Sequence, residues 1–236
     1  MPAKQIIILG AGYGGIEAAK TLHRLLKRRK DAEITLIDQN HYHTLLTELH
    51  QVAGHRVESS GVKVAIDHIL QYTDVRFVHD RINRIDFEKR KLFSDDSEYS
   101  YDYLILAAGS EPACFGIPGM KEYALTLWSL EDAQKIHDHI LRMFQLAAKE
   151  EDPDKRREML TFVVGGGGFT GVEMMGELME WTATLSRQFG IPREEIRLVI
   201  IEALSTICPI LDQKLSNRIE SFFKKHGVEV YTNTPI

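Results

Sequence analysis

Apolar residues run unbroken from Ile6 to Leu9, yield to glycines at positions 10, 12, 14 and 15, and then recur at Ile16, Ala19, Leu22 and Leu26. A short apolar run bounded by glycine predicts a buried strand, and the spacing of three to four residues after it predicts an amphipathic helix. Glu33 to Asp38 supplies the next strand and closes a βαβ unit. NHYHTLLTELHQVAGH, from Asn40 to His55, keeps neither period and predicts a functional loop with a short helix. VKVAIDHILQY, residues 62–72, predicts a helix. Short β-like runs follow over residues 75–93, and YDYLILAAGSEP, residues 101–112, predicts an apolar strand ending on small residues.

Glycine and proline between Pro112 and Gly119 mark a crossing into a second domain. Ser129 with Asp132 three residues on predicts a capping box, opening a helix whose apolar face is Ala133, Ile136, Ile140, Phe144 and Ala147. The charged KEEDPDKRRE, residues 149–158, predicts a solvated connector. The first pattern then returns: strand MLTFVV, a glycine turn, a helix from about Phe169, and strand RLVIIE ending at Glu202. The expected fold is α/β with two Rossmann-like dinucleotide-binding domains, residues 1–118 and 119–236.

Each turn carries the chemistry a dinucleotide needs. In GAGYGG, Gly10 permits the tight turn, Gly12 lets backbone approach a pyrophosphate, and Gly15 lets helix and strand pack closely; Tyr13 and Gly14 complete the loop. Phosphate then meets unpaired amides at the positive end of the helix dipole. Asp38, ending the next strand, is placed to accept hydrogen bonds from an adenosine ribose. The second turn fits as Gly166-Gly167-Gly168-Phe169-Thr170-Gly171, with Glu202 as its acid, delayed by the insertion LSRQFGIPREEI. A carboxylate there bonds the 2′-hydroxyl of NAD and repels the extra phosphate of NADP. Two dinucleotides in one chain point to FAD as held cofactor and NADH as visiting substrate.

Composition narrows the classes. With 29 Lys and Arg against 34 Asp and Glu the net charge is −5, and no basic footprint for nucleic acid appears. Two distant cysteines, Cys114 and Cys208, make neither a disulfide framework nor a zinc site, and residues 39–60 hold no cysteine for a redox pair. No apolar stretch approaches the roughly 18 residues of a transmembrane helix, so membrane contact is expected to be peripheral. His41, His43, His50 and His55 match no metal signature and read as loop histidines; His137 and His139 read as solvated. No metal is expected. Glu173, two residues past Gly171, reads as lying in the first helical turn, where plain dipole capping competes with a catalytic role.

GAGYGG, YDYLILAAGSEP, VVGGGGFTGVE and the acidic strand end at Glu202 together resemble the pyridine nucleotide-disulfide oxidoreductase superfamily of two-dinucleotide flavoproteins. Where that family carries Ala-Thr-Gly near the flavin, this chain has Ala107-Ala108-Gly109. TELHQVAG, from Thr47 to Gly54, with GSEPACFGIPG and GGGGFTGVE, is similar to type II NADH dehydrogenases, the single-subunit NADH:quinone oxidoreductases. The resemblance implies that Thr47, Ala108 and Gly109 border the flavin and that Glu173 sits beside flavin and nicotinamide. It implies hydride transfer from NADH to FAD, two electrons onward to a membrane quinone, and a cytoplasmic location peripheral on the inner face of the cell membrane; it also allows a homodimer. The alternatives are a soluble NADH-dependent flavin reductase serving a protein or oxygen, and a nucleotide-binding protein like the apoptosis factors. In the resembling family, a Gly-Asp motif, quinone-site residues and a C-terminal membrane anchor follow the point where YTNTPI ends. The flavin domain is therefore expected to be incomplete in this chain.

Overall fold

In the computed structural model, which describes residues 2–29, 31–114 and 116–235, the chain forms two compact units. One comprises Met1–Leu45 with Lys63–Glu111, the other Leu46–Val62 with Pro112–Ile236. The chain passes to the second unit after Glu111, and Leu46–Val62 also belongs to the second unit although its flanks belong to the first.

The first unit begins with β1 (Lys4–Leu9), α1 (Tyr13–Leu26) and β2 (Ala32–Asp38). β1 is central in a four-stranded sheet with β2, β5 (Arg76–His79) and β9 (Tyr103–Leu106), in the order β5-β2-β1-β9. All three pairings are parallel. Both faces of β1 are covered over Ile6–Leu9, which is why that part of the strand is continuously apolar rather than alternating. Ile6 and Ile8 point into a cluster with Ile16, Ala19, Leu36 and Ile66, whereas Ile7 joins Ile37 and Leu92 on the other face. β3 (Tyr42–Thr44) pairs antiparallel with β4 (Lys63–Ala65), followed by α3 (Ile66–Leu70). The single helix expected over residues 62–72 is thus a strand and a short helix: pairing with β3 takes Lys63–Ala65 out of the helical pattern. β6 (Arg84–Asp86), β7 (Lys91–Phe93) and β8 (Glu98–Ser100) make a small antiparallel sheet.

The second unit takes α2 (Leu49–Ala53) from the interposed segment, then α4 (Met120–Tyr123), α5 (Leu130–Ala147) and α6 (Pro153–Met159). Its sheet is β10 (Thr161–Gly165), β11 (Arg197–Ile201) and β12 (Val228–Tyr231), all parallel, with α7 (Phe169–Phe189) and α8 (Gln213–Lys225) as crossovers. The Ser129–Asp132 capping box forms as expected. The expected connector at residues 149–158 is instead mostly helix α6. Asp152 caps it by accepting from the Asp154 and Lys155 amides, and Pro153 occupies its first turn. α7 runs on through the start of the insertion and stops at Gly190, left-handed at φ 66°.

Candidate functional site

The two glycine turns are built alike. Gly10 and Gly166 share a φ of 104°, a region closed to ordinary side chains, and their amides donate to Ile37 O and Ile201 O, each at 2.8 Å. A Cβ on Gly15 would overlap the Gly10 carbonyl, and one on Gly171 the Gly166 carbonyl, so each helix approaches its strand closely because the third glycine is bare. Gly12 and Gly168 are the N-caps of α1 and α7, with φ, ψ of −70°, −174° and −72°, −177°. A Cβ on Gly12, Gly14 or Gly168 would meet no protein atom within 4 Å. The backbone there is open to a ligand, at helix ends whose amides suit phosphate. The residues present therefore fit a dinucleotide at each turn.

The acids also match. Asp38 Oδ2 accepts from Ala11 N–H at 2.6 Å and Oδ1 from Asn40 N–H at 2.8 Å. Glu202 Oε2 accepts from Gly167 N–H at 2.6 Å and Oε1 from Leu204 N–H at 2.7 Å. Each carboxylate is fixed by two main-chain donors and, with about four lone-pair sites, retains room for a ribose hydroxyl.

The expected site residues divide between the units. Gly10, Gly12, Tyr13, Gly14, Gly15, Asp38, Ala108 and Gly109 lie in the first, the last two just beyond β9 with Gly109 left-handed at φ 80°. Gly166, Gly168, Phe169, Thr170, Gly171, Glu173 and Glu202 lie in the second, as does Thr47, in a 3-10 turn at Leu46–Glu48. Phe169 and Thr170 are exposed at the start of α7. Phe115, within GSEPACFGIPG, lies outside the described residues.

Glu173 departs from its expected place. It is past the first turn of α7, which holds no acidic residue, so it does not cap the helix. Its half-exposed carboxylate lies 3.6 Å from His50 Nδ1, beside an open cavity of about 490 Å³ that Arg56, Glu177 and Phe222 also line. Arg56 Nε donates to both oxygens of buried Glu177, at 2.7 and 2.9 Å. Burial, then the nearby Glu173 charge, pushes the Cys208 thiol up, which disfavours a thiolate. Cys114 and Cys208 are both free thiols. Among the described residues no three His, Cys, Asp or Glu side chains converge as metal ligands.

Several of the histidines make ring or hydrogen-bond contacts, although His41 and His55 remain exposed. His43 is buried, with Nδ1 2.9 Å from Ala11 O and the Tyr13 ring edge-on at 4.6 Å. His41 stacks on His79 at 3.5 Å. His55 Nδ1 is 2.9 Å from His137 Nε2, and both rings stack on Trp181. His137 was expected to be solvated; Trp181 covers it, while His139 is exposed. These packings depend on chain return, which no local pattern in the sequence encodes.

A model of the pyridine nucleotide-disulphide oxidoreductase family matches residues 4–236. The chain belongs to that family. Among curated relatives, a Type II NADH:quinone oxidoreductase of Staphylococcus haemolyticus is 34% identical over 99% of this chain and 57% of its own length. One from Staphylococcus aureus is 32% identical with the same coverages, 99% and 57%. The chain therefore spans little more than half the length of these family members. Among solved structures, NDH2 from Plasmodium falciparum superposes with a TM-score of 0.86 at 24% identity, over 98% of this chain and 48% of that one. The sulfide:quinone oxidoreductase of Aquifex aeolicus gives 0.72 at 19% identity, over 98% and 51%. At such identities the likeness establishes the fold of the family.

Proposed function

We propose that this chain is the dinucleotide-binding portion of an FAD-dependent NADH dehydrogenase that passes two electrons to a membrane quinone, working peripherally at the cytoplasmic face of the cell membrane. The observation that carries the reading is the duplicated turn, in which each glycine loop is answered by a carboxylate fixed against it. The curated relatives, named for NADH and quinone, support the choice of substrates. Among the described residues no helix is long and apolar enough to cross a membrane, in keeping with a peripheral mode.

In this reading Gly10, Gly12, Tyr13, Gly14, Gly15 and Asp38 hold the adenosine and pyrophosphate of FAD, with Thr47, Ala108 and Gly109 toward its ring. Gly166, Gly168, Phe169, Thr170, Gly171 and Glu202 hold NADH, and Glu202 selects it over NADPH by charge. When bound, a flavin would supply the two-electron redox chemistry between nicotinamide and acceptor, while these residues would hold and orient both nucleotides. Glu173, half-exposed with its carboxylate 3.6 Å from His50 Nδ1, is in this reading the residue that exchanges a proton with solvent near the nicotinamide.

The test is the full-length protein, loaded with FAD and desalted. A flavin spectrum that bleaches anaerobically with NADH and is restored by a short-chain quinone faster than by oxygen supports the reading. A protein that stays colourless, or a flavin that NADH leaves oxidised, overturns it. Restoration by oxygen in preference to quinone favours the soluble flavin reductase.

A further inference from the structure

In each turn the residue after the first glycine is gripped on both of its backbone polar groups. Ala11 N–H donates to Asp38 Oδ2 at 2.6 Å, and Ala11 C=O faces His43 Nδ1 at 2.9 Å. Because a carbonyl only accepts, His43 Nδ1 carries the proton. Gly167 N–H donates to Glu202 Oε2 at 2.6 Å, and Gly167 C=O accepts from the Cys208 amide at 2.7 Å. The pattern is thus repeated with different parts: acid and donor stand close in sequence in both turns, but one donor is an imidazole and the other a main-chain N–H.

We propose that His43 and the turn at Cys208 are positioning groups that aim the next amide, Gly12 N–H or Gly168 N–H, at the pyrophosphate of a bound dinucleotide; this rests on the two-dinucleotide reading above. In a trans peptide the carbonyl of one residue and the amide of the next point in opposite directions, and the described residues contain no cis bond. Drawing Ala11 C=O toward buried His43 turns Gly12 N–H the other way, at the position where an added Cβ would meet nothing. Drawing Gly167 C=O toward Cys208 does the same for Gly168 N–H. Without the grip the peptide plane can rotate, and a ligand must then bear the cost of ordering it.

Each donor is itself held. His43 lies in β3 opposite Val64 of β4, with the Tyr13 ring against it. Cys208 is left-handed at φ 47°, and its carbonyl accepts from Leu211 N–H at 2.9 Å and from the hydroxyl of buried Ser216, on α8, at 3.1 Å. The first grip is therefore removable by a side-chain change, and the second is not.

The experiment compares His43→Leu, which deletes the donor, with His43→Asn, whose Nδ2 stands in the place of imidazole Nδ1, in the full-length protein. FAD binding to the apoprotein reports the first turn and NAD binding the second. His43→Leu is expected to weaken FAD about 5- to 30-fold, the effect of one well-placed hydrogen bond, with His43→Asn restoring most of it. NAD affinity should stay within about twofold in both variants and in Cys208→Ala, and since NAD reports only the second unit, an amide spectrum of the first unit that stays dispersed shows that the His43 variants fold. Unchanged FAD affinity in His43→Leu, equal losses in the Leu and Asn variants, or NAD loss in Cys208→Ala overturns the proposal. A ligand-free readout separates it from the functional reading: the Gly12 amide resonance should move in His43→Leu and return in His43→Asn. If the unmutated protein binds neither nucleotide, the dinucleotide reading fails, and the Gly12 amide still decides whether His43 sets that peptide; a resonance unmoved in His43→Leu overturns it.

Discussion

Gly54 lies against Glu177 so closely that a Cβ on the glycine would overlap the glutamate Cβ. This contact, between the residue ending α2 and the middle of α7, joins the interposed segment to the rest of the second unit. Glu177 cannot move aside easily, since Arg56 holds both its oxygens. Gly54→Ala is therefore expected to destabilise by about 1–3 kcal/mol, the usual cost of overpacking. Urea unfolding followed by tryptophan fluorescence, from Trp128 and Trp181 of the second unit, checks it; an unchanged midpoint would show that α2 can slide.

If Glu202 holds the NADH ribose as proposed, Glu202→Gln is expected to lower NADH affinity about 10- to 150-fold, because a charge-assisted bond is weakened along with the carboxylate's hold on Gly167 and Leu204. NADPH should lose less, since the variant no longer repels its extra phosphate. Fluorescence titration with both cofactors separates the two effects. Equal losses would confine Glu202 to holding the loop.

For Glu173→Gln the expectation is stability within about 0.5 kcal/mol of the parent, since the side chain is half-exposed and does not cap α7. If Glu173 exchanges protons, the pH dependence of turnover changes while NADH affinity does not. Steady-state rates across pH, with thermal melts alongside, decide between these outcomes.

An acid-stability signature is expected from Arg197 and Glu229, which pair across β11 and β12 through two bonds of 2.6 and 2.7 Å. The Arg197 hydrogen bond, then that of Tyr231, lowers Glu229 to about 2 from an ordinary value of 4.5. A depressed carboxylate contributes stability that is present above its unfolded value and is lost as pH falls through its folded one. Arg197→Met should therefore be less stable than the parent at neutral pH, and the two unfolding curves should converge between pH 4.5 and about 2. A gap that persists at the acid end would assign the loss to packing of the arginine stem.

Much of this architecture was legible in the sequence because its signals are local. Strand, glycine turn, helix and acid succeed one another within each βαβ unit, and the Ser129–Asp132 box declares a helix start by chemistry alone. What escaped depends on partners distant in the chain. Asn40 to His55 shows no period because it changes unit part-way, at Leu45, and contributes a strand to one core and a helix to the other. His43 carries no mark distinguishing it from His41 or His50; its role follows from β4 returning to pair with β3. The Cys208 donor is a main-chain amide, which no residue identity reveals. α6 is hidden for another reason: its Asp152–Pro153 start lies within a run of charged residues.

The interleaving of the two units has a consequence for how the chain is made. Residues 46–62 leave the ribosome before residues 63–111, which belong to the other unit, and well before the α5 and α7 surfaces they pack against. At about 5–20 residues per second, α2 waits several seconds for its binding site. During that wait Leu49, Val52 and Ala53, all buried in the finished fold, face water or a chaperone. The first unit therefore assembles with residues 46–62 as a long connection between β3 and β4, whose own packing partners are made later.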